Sequence, residues 1–119
     1  MLNLDTHILI DALAGDLSKR ERGLLAEEPW SISAIVLWEL AKLVQLERVE
    51  LDINSAEFGR ALSRIRIWPL DVAVCRQSTQ LDFHSDPADE LIAATSVVHR
   101  IPLLTRDRRM LKSKVVPLI

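Results

Sequence analysis

Short apolar runs alternate with helix-patterned segments along this sequence, and acids or hydroxyl residues stand at the junctions. Met1 to Asp5, Trp30 to Ile32, Ile67 to Leu70, Pro102 to Thr105 and Val115 to Ile119 read as strands, separated by stretches with helical apolar spacing. Such alternation demands parallel pairing through right-handed crossovers. The expected fold class is therefore α/β, a three-layer domain over residues 1–119 with a four- or five-stranded, mainly parallel sheet and helices on both faces.

Capping signals set the boundaries. Thr6 is expected to cap a helix over Ile8 to Ala14, ended by Gly15, and Ser18 a second helix reaching Glu28 before Pro29. Ser33 opens the longest helix, Ala34 to Glu47, with Val36, Leu40, Leu43 and Val44 at helical spacing. Asn54 with Glu57 signals a helix to Arg66, and Asp71 one to Phe83. Pro69 lacks an amide donor, which places the preceding strand at a sheet edge. Asp86, Pro87 and Asp89 begin a buried helix that Pro102 ends, and a short basic helix precedes the last strand.

Asp5, Glu39, Asp89 and Asp107 each stand where a strand ends or just inside the following helix. In an open parallel sheet those positions converge on one rim, so the four acids are expected to line one pocket suited to a divalent cation. Each also has a structural reading, since an acid in the first helical turn caps the helix or meets its dipole. Other chemistries find no support. No GxGxxG, GxxxxGK[ST] or GxSxG motif is present, and the single Cys75 has no ligand-spaced neighbours and reads as a buried thiol. No apolar run approaches the roughly 20 residues of a membrane span, and the expected location is cytoplasmic.

Charge is unevenly distributed. Net charge is −2, yet residues 100–119 carry +5 and the rest −7, so a basic patch flanks the fourth acid. A patch of this kind steers polyanions, although on charge alone a solvated helical face is the favoured reading.

Four ordered segments carry a family resemblance: Leu4-Asp5-Thr6-His7, Ser33 to Leu40 ending Trp38-Glu39-Leu40, Asp86-Pro87-Ala88-Asp89-Glu90-Leu91-Ile92-Ala93-Ala94-Thr95, and Pro102-Leu103-Leu104-Thr105-Arg106-Asp107. Together they resemble the PIN domain of VapC-type ribonuclease toxins and cover essentially the whole chain. Glu90 departs from the basic residue often found beside the third acid in such toxins. The resemblance implies an Mg²⁺- or Mn²⁺-dependent endoribonuclease acting on RNA, a homodimer, and a cognate antitoxin partner. Asp5, Asp89 and Asp107 are then the expected metal ligands, and Glu39 completes the catalytic set by holding a water or accepting its proton.

Around that set, Thr6 and Thr105 either bind a carboxylate or phosphate or simply pack and cap. Arg106, Arg108, Arg109 and Lys112 are the candidate RNA contacts. His7 is expected to point away from the rim and Trp30 and Trp68 to pack in the core, while the broad apolar circumference around Trp38 and Leu46 suits burial for part of the helix and a partner for the rest. Two alternatives stay open: a nuclease for DNA or RNA processing, and a binding module without turnover.

Overall fold

Apolar segments at Leu2–Leu4, Trp30–Ser33, Arg66–Trp68 and Leu103–Leu104 form strands β1 to β4, which assemble in the order β3-β2-β1-β4. All three pairings are parallel, with Leu2 opposite Trp30, Asn3 opposite Leu103, and Ile32 opposite Ile67. The computed structural model describes residues 1–119. Seven helices connect and cover the strands: α1 (Thr6–Ala14), α2 (Lys19–Glu27), α3 (Ala34–Gln45), α4 (Ala56–Leu62), α5 (Val72–Ser78), α6 (Pro87–His99) and α7 (Arg108–Leu111).

The strand order carries the functional consequence. From β1 the chain steps outward to β2 and β3, then returns past both to β4 on the other side of β1. This reversal makes the β1–β4 junction a topological switch point, where a crevice opens beyond the carboxyl ends of the strands. Right-handed crossovers in opposite directions lie on opposite faces of the sheet. Burial agrees: successive side chains of β1 point to opposite faces, yet Leu2, Asn3 and Leu4 are all buried. The Asn3 amide donates to the Ile92 carbonyl at 3.1 Å and the Ser96 hydroxyl at 2.9 Å, so α6 covers its face. Leu2, Leu4, Ile8, Ile32, Ile92, Leu103 and Met110 belong to one apolar core.

Helix starts follow side-chain capping. Ser18 and Glu21 form a reciprocal capping box on α2, Ser33 accepts from the Ile35 amide, and Asp71 from the Val74 amide. Gly15 closes α1 at φ 78°, where a side chain would be strained.

Several boundaries differ from the sequence expectation. Asp5, not Thr6, caps α1, which frees the Thr6 hydroxyl for another partner. Ser55 rather than Asn54 caps α4, because its hydroxyl reaches the Phe58 amide, and that helix ends at Leu62 rather than Arg66. Helix α5 stops at Ser78, short of Phe83. The expected strand at Val115 to Ile119 contracts to a single parallel bridge between Leu118 and Leu103, leaving four strands. Cys75 is exposed, because Val74 is the buried residue of its helix. The edge assignment for the Pro69 segment agrees with β3 at the sheet margin.

Candidate active site

Beyond the carboxyl ends of the strands lies an open cleft of about 440 Å³ lined by Asp5, His7, Asp11, Glu39, Asp86, Asp89, Arg106 and Asp107, with no apolar side chain. All four acids picked out in the sequence meet there. Asp5 ends β1, Glu39 projects from the middle of α3, Asp89 lies in the first turn of α6, and Asp107 caps α7 just beyond β4.

Hydroxyl groups join these acids into a framework. The Asp5 carboxylate is buried, accepting from the Thr6 amide at 2.8 Å through Oδ1 and from the Thr105 hydroxyl at 2.6 Å through Oδ2. Thr105 Oγ1 in turn accepts from the Asp107 amide at 3.0 Å. The Thr6 hydroxyl donates to Glu39 Oε1 at 2.5 Å, and Ser85 donates to Asp89 Oδ2 at 3.0 Å. Asp107 uses Oδ1 for its capping bonds to the Arg109 and Met110 amides. Glu39 Oε2, Asp89 Oδ1 and Asp107 Oδ2 therefore have no donor within the protein and remain available to a ligand.

Electrostatics set this cleft apart. Six carboxylates face one guanidinium around the cleft. Burial pushes the Asp5 and Glu39 carboxyls above the usual range, with repulsion from Asp107 and Asp5 respectively adding to it. Asp89 is pushed up to about 6, first by burial and then by the charges of Asp5, Glu39 and Asp107. A hard divalent cation would relieve this repulsion, and an all-oxygen donor set suits Mg²⁺ or Mn²⁺. No three His, Cys, Asp or Glu side chains form a ready cage, so any ion held here would keep part of its water shell.

His7 is exposed and lines the cleft, contrary to the expectation that it would turn away. With Asp5 as the cap, His7 lies in the first turn of α1 and its side chain borders the cleft. Asp11, Asp86, Ser85 and Glu21 were not among the expected site residues. Asp86 holds the N-cap position of α6 but makes no side-chain capping bond and faces the cleft instead. Its place in Asp86-Pro87-Ala88-Asp89 was the available signal. Glu21 was hidden by its capping role.

The basic residues divide. Arg106 borders the cleft with its guanidinium bound to Glu21 through Nε and Nη2, at 2.8 and 2.7 Å, and to Asp11 through Nη1. Arg108, Arg109 and Lys112 are exposed along α7, with Arg109 Nη1 near the His84 carbonyl at 3.4 Å. Trp30 is half-buried and donates to the Leu25 carbonyl, while Trp68 stacks on His99 with ring centroids 3.9 Å apart. Trp38 is 56% and Leu46 59% exposed, so the long helix leaves apolar surface uncovered.

Comparison with known proteins accords with this arrangement. Ribonuclease VapC22 of Mycobacterium tuberculosis is 36% identical over 84 residues, and the match covers 67% of this chain and 64% of that protein's length. The solved structure of VapBC2 from Rickettsia felis bound to a DNA fragment from their promoter superposes with a TM-score of 0.74 at 21% identity, covering 100% of this chain and 98% of the other. A toxin-antitoxin complex from Klebsiella pneumoniae gives 0.71 at 23% identity over 94% and 91% of the two chains. Those likenesses carry the fold. The PIN domain model matches residues 3–115, a span that takes in every acid of the cleft, and the chain belongs to the PIN domain family.

Proposed function

We propose that this chain is an Mg²⁺- or Mn²⁺-dependent endoribonuclease, the toxin of a toxin-antitoxin pair. The observation that carries this reading is the meeting of Asp5, Glu39, Asp89 and Asp107 in one cleft without apolar lining. Asp5, Asp89 and Asp107 would hold the cation, which when bound would supply Lewis acidity at the scissile phosphate. Glu39 takes the proton of the attacking water through Oε2. Burial raises its carboxyl, bringing its basicity closer to neutral pH, and the Thr6 bond fixes its direction. Thr105 orients Asp5. Exposed Arg108, Arg109 and Lys112 hold the RNA backbone beside the cleft.

The similarity to Ribonuclease VapC22 supports the RNA substrate, and the toxin-antitoxin structures that share the fold support an antitoxin partner. Exposed Trp38 and Leu46, with Ile67 and Val72, supply apolar surface for a homodimer or for that partner.

Titration of the protein with Mn²⁺, then incubation with mixed RNA and DNA pools and mapping of product ends, tests the reading. Chelator-sensitive cleavage of RNA that Asp5→Asn abolishes is expected. Equal cleavage by Asp5→Asn overturns the assignment, and cleavage of DNA alone replaces the substrate.

A further inference from the structure

Arg106 lies in the turn between β4 and α7, between Thr105 and the capping Asp107, and its side chain reaches across to α1 and α2. Its guanidinium makes three N–H bonds to carboxylates on two different helices, Asp11 on α1 and Glu21 on α2. We propose that Arg106, clamped by Glu21 and Asp11, is a positioning residue that fixes the Thr105–Asp107 turn and thereby the direction of the Asp107 carboxylate. This rests on the metal site proposed above.

Geometry supports the role. Glu21 is buried at 7% exposure and does not line the cleft, so it has no access to a cation or an RNA there. It already serves α2 as the far half of a capping box, accepting from the Ser18 amide at 2.9 Å. One carboxylate thus fixes the start of α2 and receives the fork of Arg106, which ties the turn to a rigid helix end rather than to a mobile side chain. The Arg106 guanidinium holds Glu21 down at about 2, so the pair stays ionised throughout the working range. The turn has two further anchors, the Thr105 bond to Asp5 and the fully buried Met110 in the core. Arg106 adds the lateral restraint that neither of these supplies. A lysine in its place would offer a point charge without the fork.

This role and two simpler ones predict different signs. As a mere counter-ion beside an acidic cleft, Arg106 would weaken cation binding, so its removal would tighten it. As a phosphate contact, its removal would flatten the salt dependence of RNA binding by about one counterion. As a positioning residue, its removal weakens cation binding and leaves the salt slope alone.

Mn²⁺ affinity of the full chain, read by calorimetry or electron paramagnetic resonance, decides among them, with melting temperature followed in parallel. Arg106→Ala strands a buried carboxylate and can unfold the chain, so Arg106→Ala with Glu21→Gln is the second variant. Gln keeps the capping box and removes the stranded charge. Both variants are expected to bind Mn²⁺ roughly 10- to 100-fold more weakly, the usual cost of losing an outer-shell support. The double variant recovers the wild-type melting temperature without recovering affinity. Unchanged or tighter Mn²⁺ binding in the double variant overturns the proposal, as does a flattened salt slope for a single-stranded RNA. Absence of RNA cleavage by the wild-type chain overturns the nuclease reading alone, because Mn²⁺ affinity is the readout here.

Discussion

The hydroxyl of Thr105 donates to Oδ2 of Asp5 at 2.6 Å, joining the ends of β4 and β1 across the switch point of the sheet. The two residues stand 100 positions apart in the chain. Their bond serves a buried carboxylate, so its loss leaves a charge without one of its two donors. Thr105→Val preserves shape and removes the donor, and a stability loss of about 1 to 3 kcal/mol at pH 7 is expected. The bond favours the ionised form and holds the Asp5 carboxyl down against burial. The loss should therefore shrink on acidification, as urea unfolding at pH 7 and pH 4 will show.

Asp89 makes the opposite kind of prediction. Its carboxyl is raised from 3.8 to about 6 in the fold, so the folded chain retains a proton that the unfolded chain has released. Between those values each rise in pH costs stability, and above about 6 the full penalty stands. Asp89→Asn removes it. The metal-free variant should exceed wild type by on the order of 1 to 2 kcal/mol at pH 7.5, after allowance for solvent screening, and show no gain at pH 3. Urea unfolding in chelator measures both. A variant less stable than wild type at pH 7.5 would sink the assignment of strain to this carboxylate.

Cation binding should reverse that strain. Mn²⁺ bound only to the folded state raises the melting temperature by mass action, by an amount equivalent to about 2.7 kcal/mol at a hundredfold excess over the dissociation constant. Deprotonated ligands are required, so the rise should be larger at pH 7.5 than at pH 5. Asp5→Asn and Asp107→Asn should lose most of it. Equal shifts in wild type and both variants would place the ion elsewhere.

Helix α7 provides a test that leaves the cleft untouched. Replacing Arg108, Arg109 and Lys112 together by Ala removes three exposed cations. The slope of log affinity for single-stranded RNA against log salt should fall by about 2, at roughly 0.7 per phosphate contact. Mn²⁺ affinity should stay within error of wild type. A slope unchanged by the triple substitution would remove this patch from the RNA surface.

Much of this molecule is legible in its sequence because parallel sheets leave a periodic trace. The apolar runs at Leu2, Ile32 and Leu103, each followed by a residue able to cap, mark strand ends and hence the rim where Asp5 and Asp107 lie. Glu39 is less visible, since its helix position alone does not tell a solvated face from a cleft. Only its spacing from Ser33 within a familiar segment singles it out. What escapes the sequence is the choice among neighbouring donors. Asp5 and Thr6 both cap helices well, and the Glu39 carboxylate, from another element, engages the Thr6 hydroxyl that would otherwise compete for the cap. The same limit hides the second partner of Glu21, 85 residues away, and it hides the orientation of His7, which depends on where the helix begins. The final strand fails for a related reason: with Pro117 beside it, Leu118 forms only one bridge.

The switch point also has a consequence for biogenesis. Asp5 directly follows the first strand of this sheet, yet its partners Leu104 and Thr105 lie in and just beyond the last strand of the sheet. A nascent chain that has folded its first three strands still lacks the residues that orient Asp5 and the carboxylate of Asp107. A chain that ends before Leu103 carries Asp5, Glu39 and Asp89 on a sheet without β4, and lacks Asp107. The set of four acids is therefore complete only after β4 has been made, because Asp107 follows the other three in the order of synthesis.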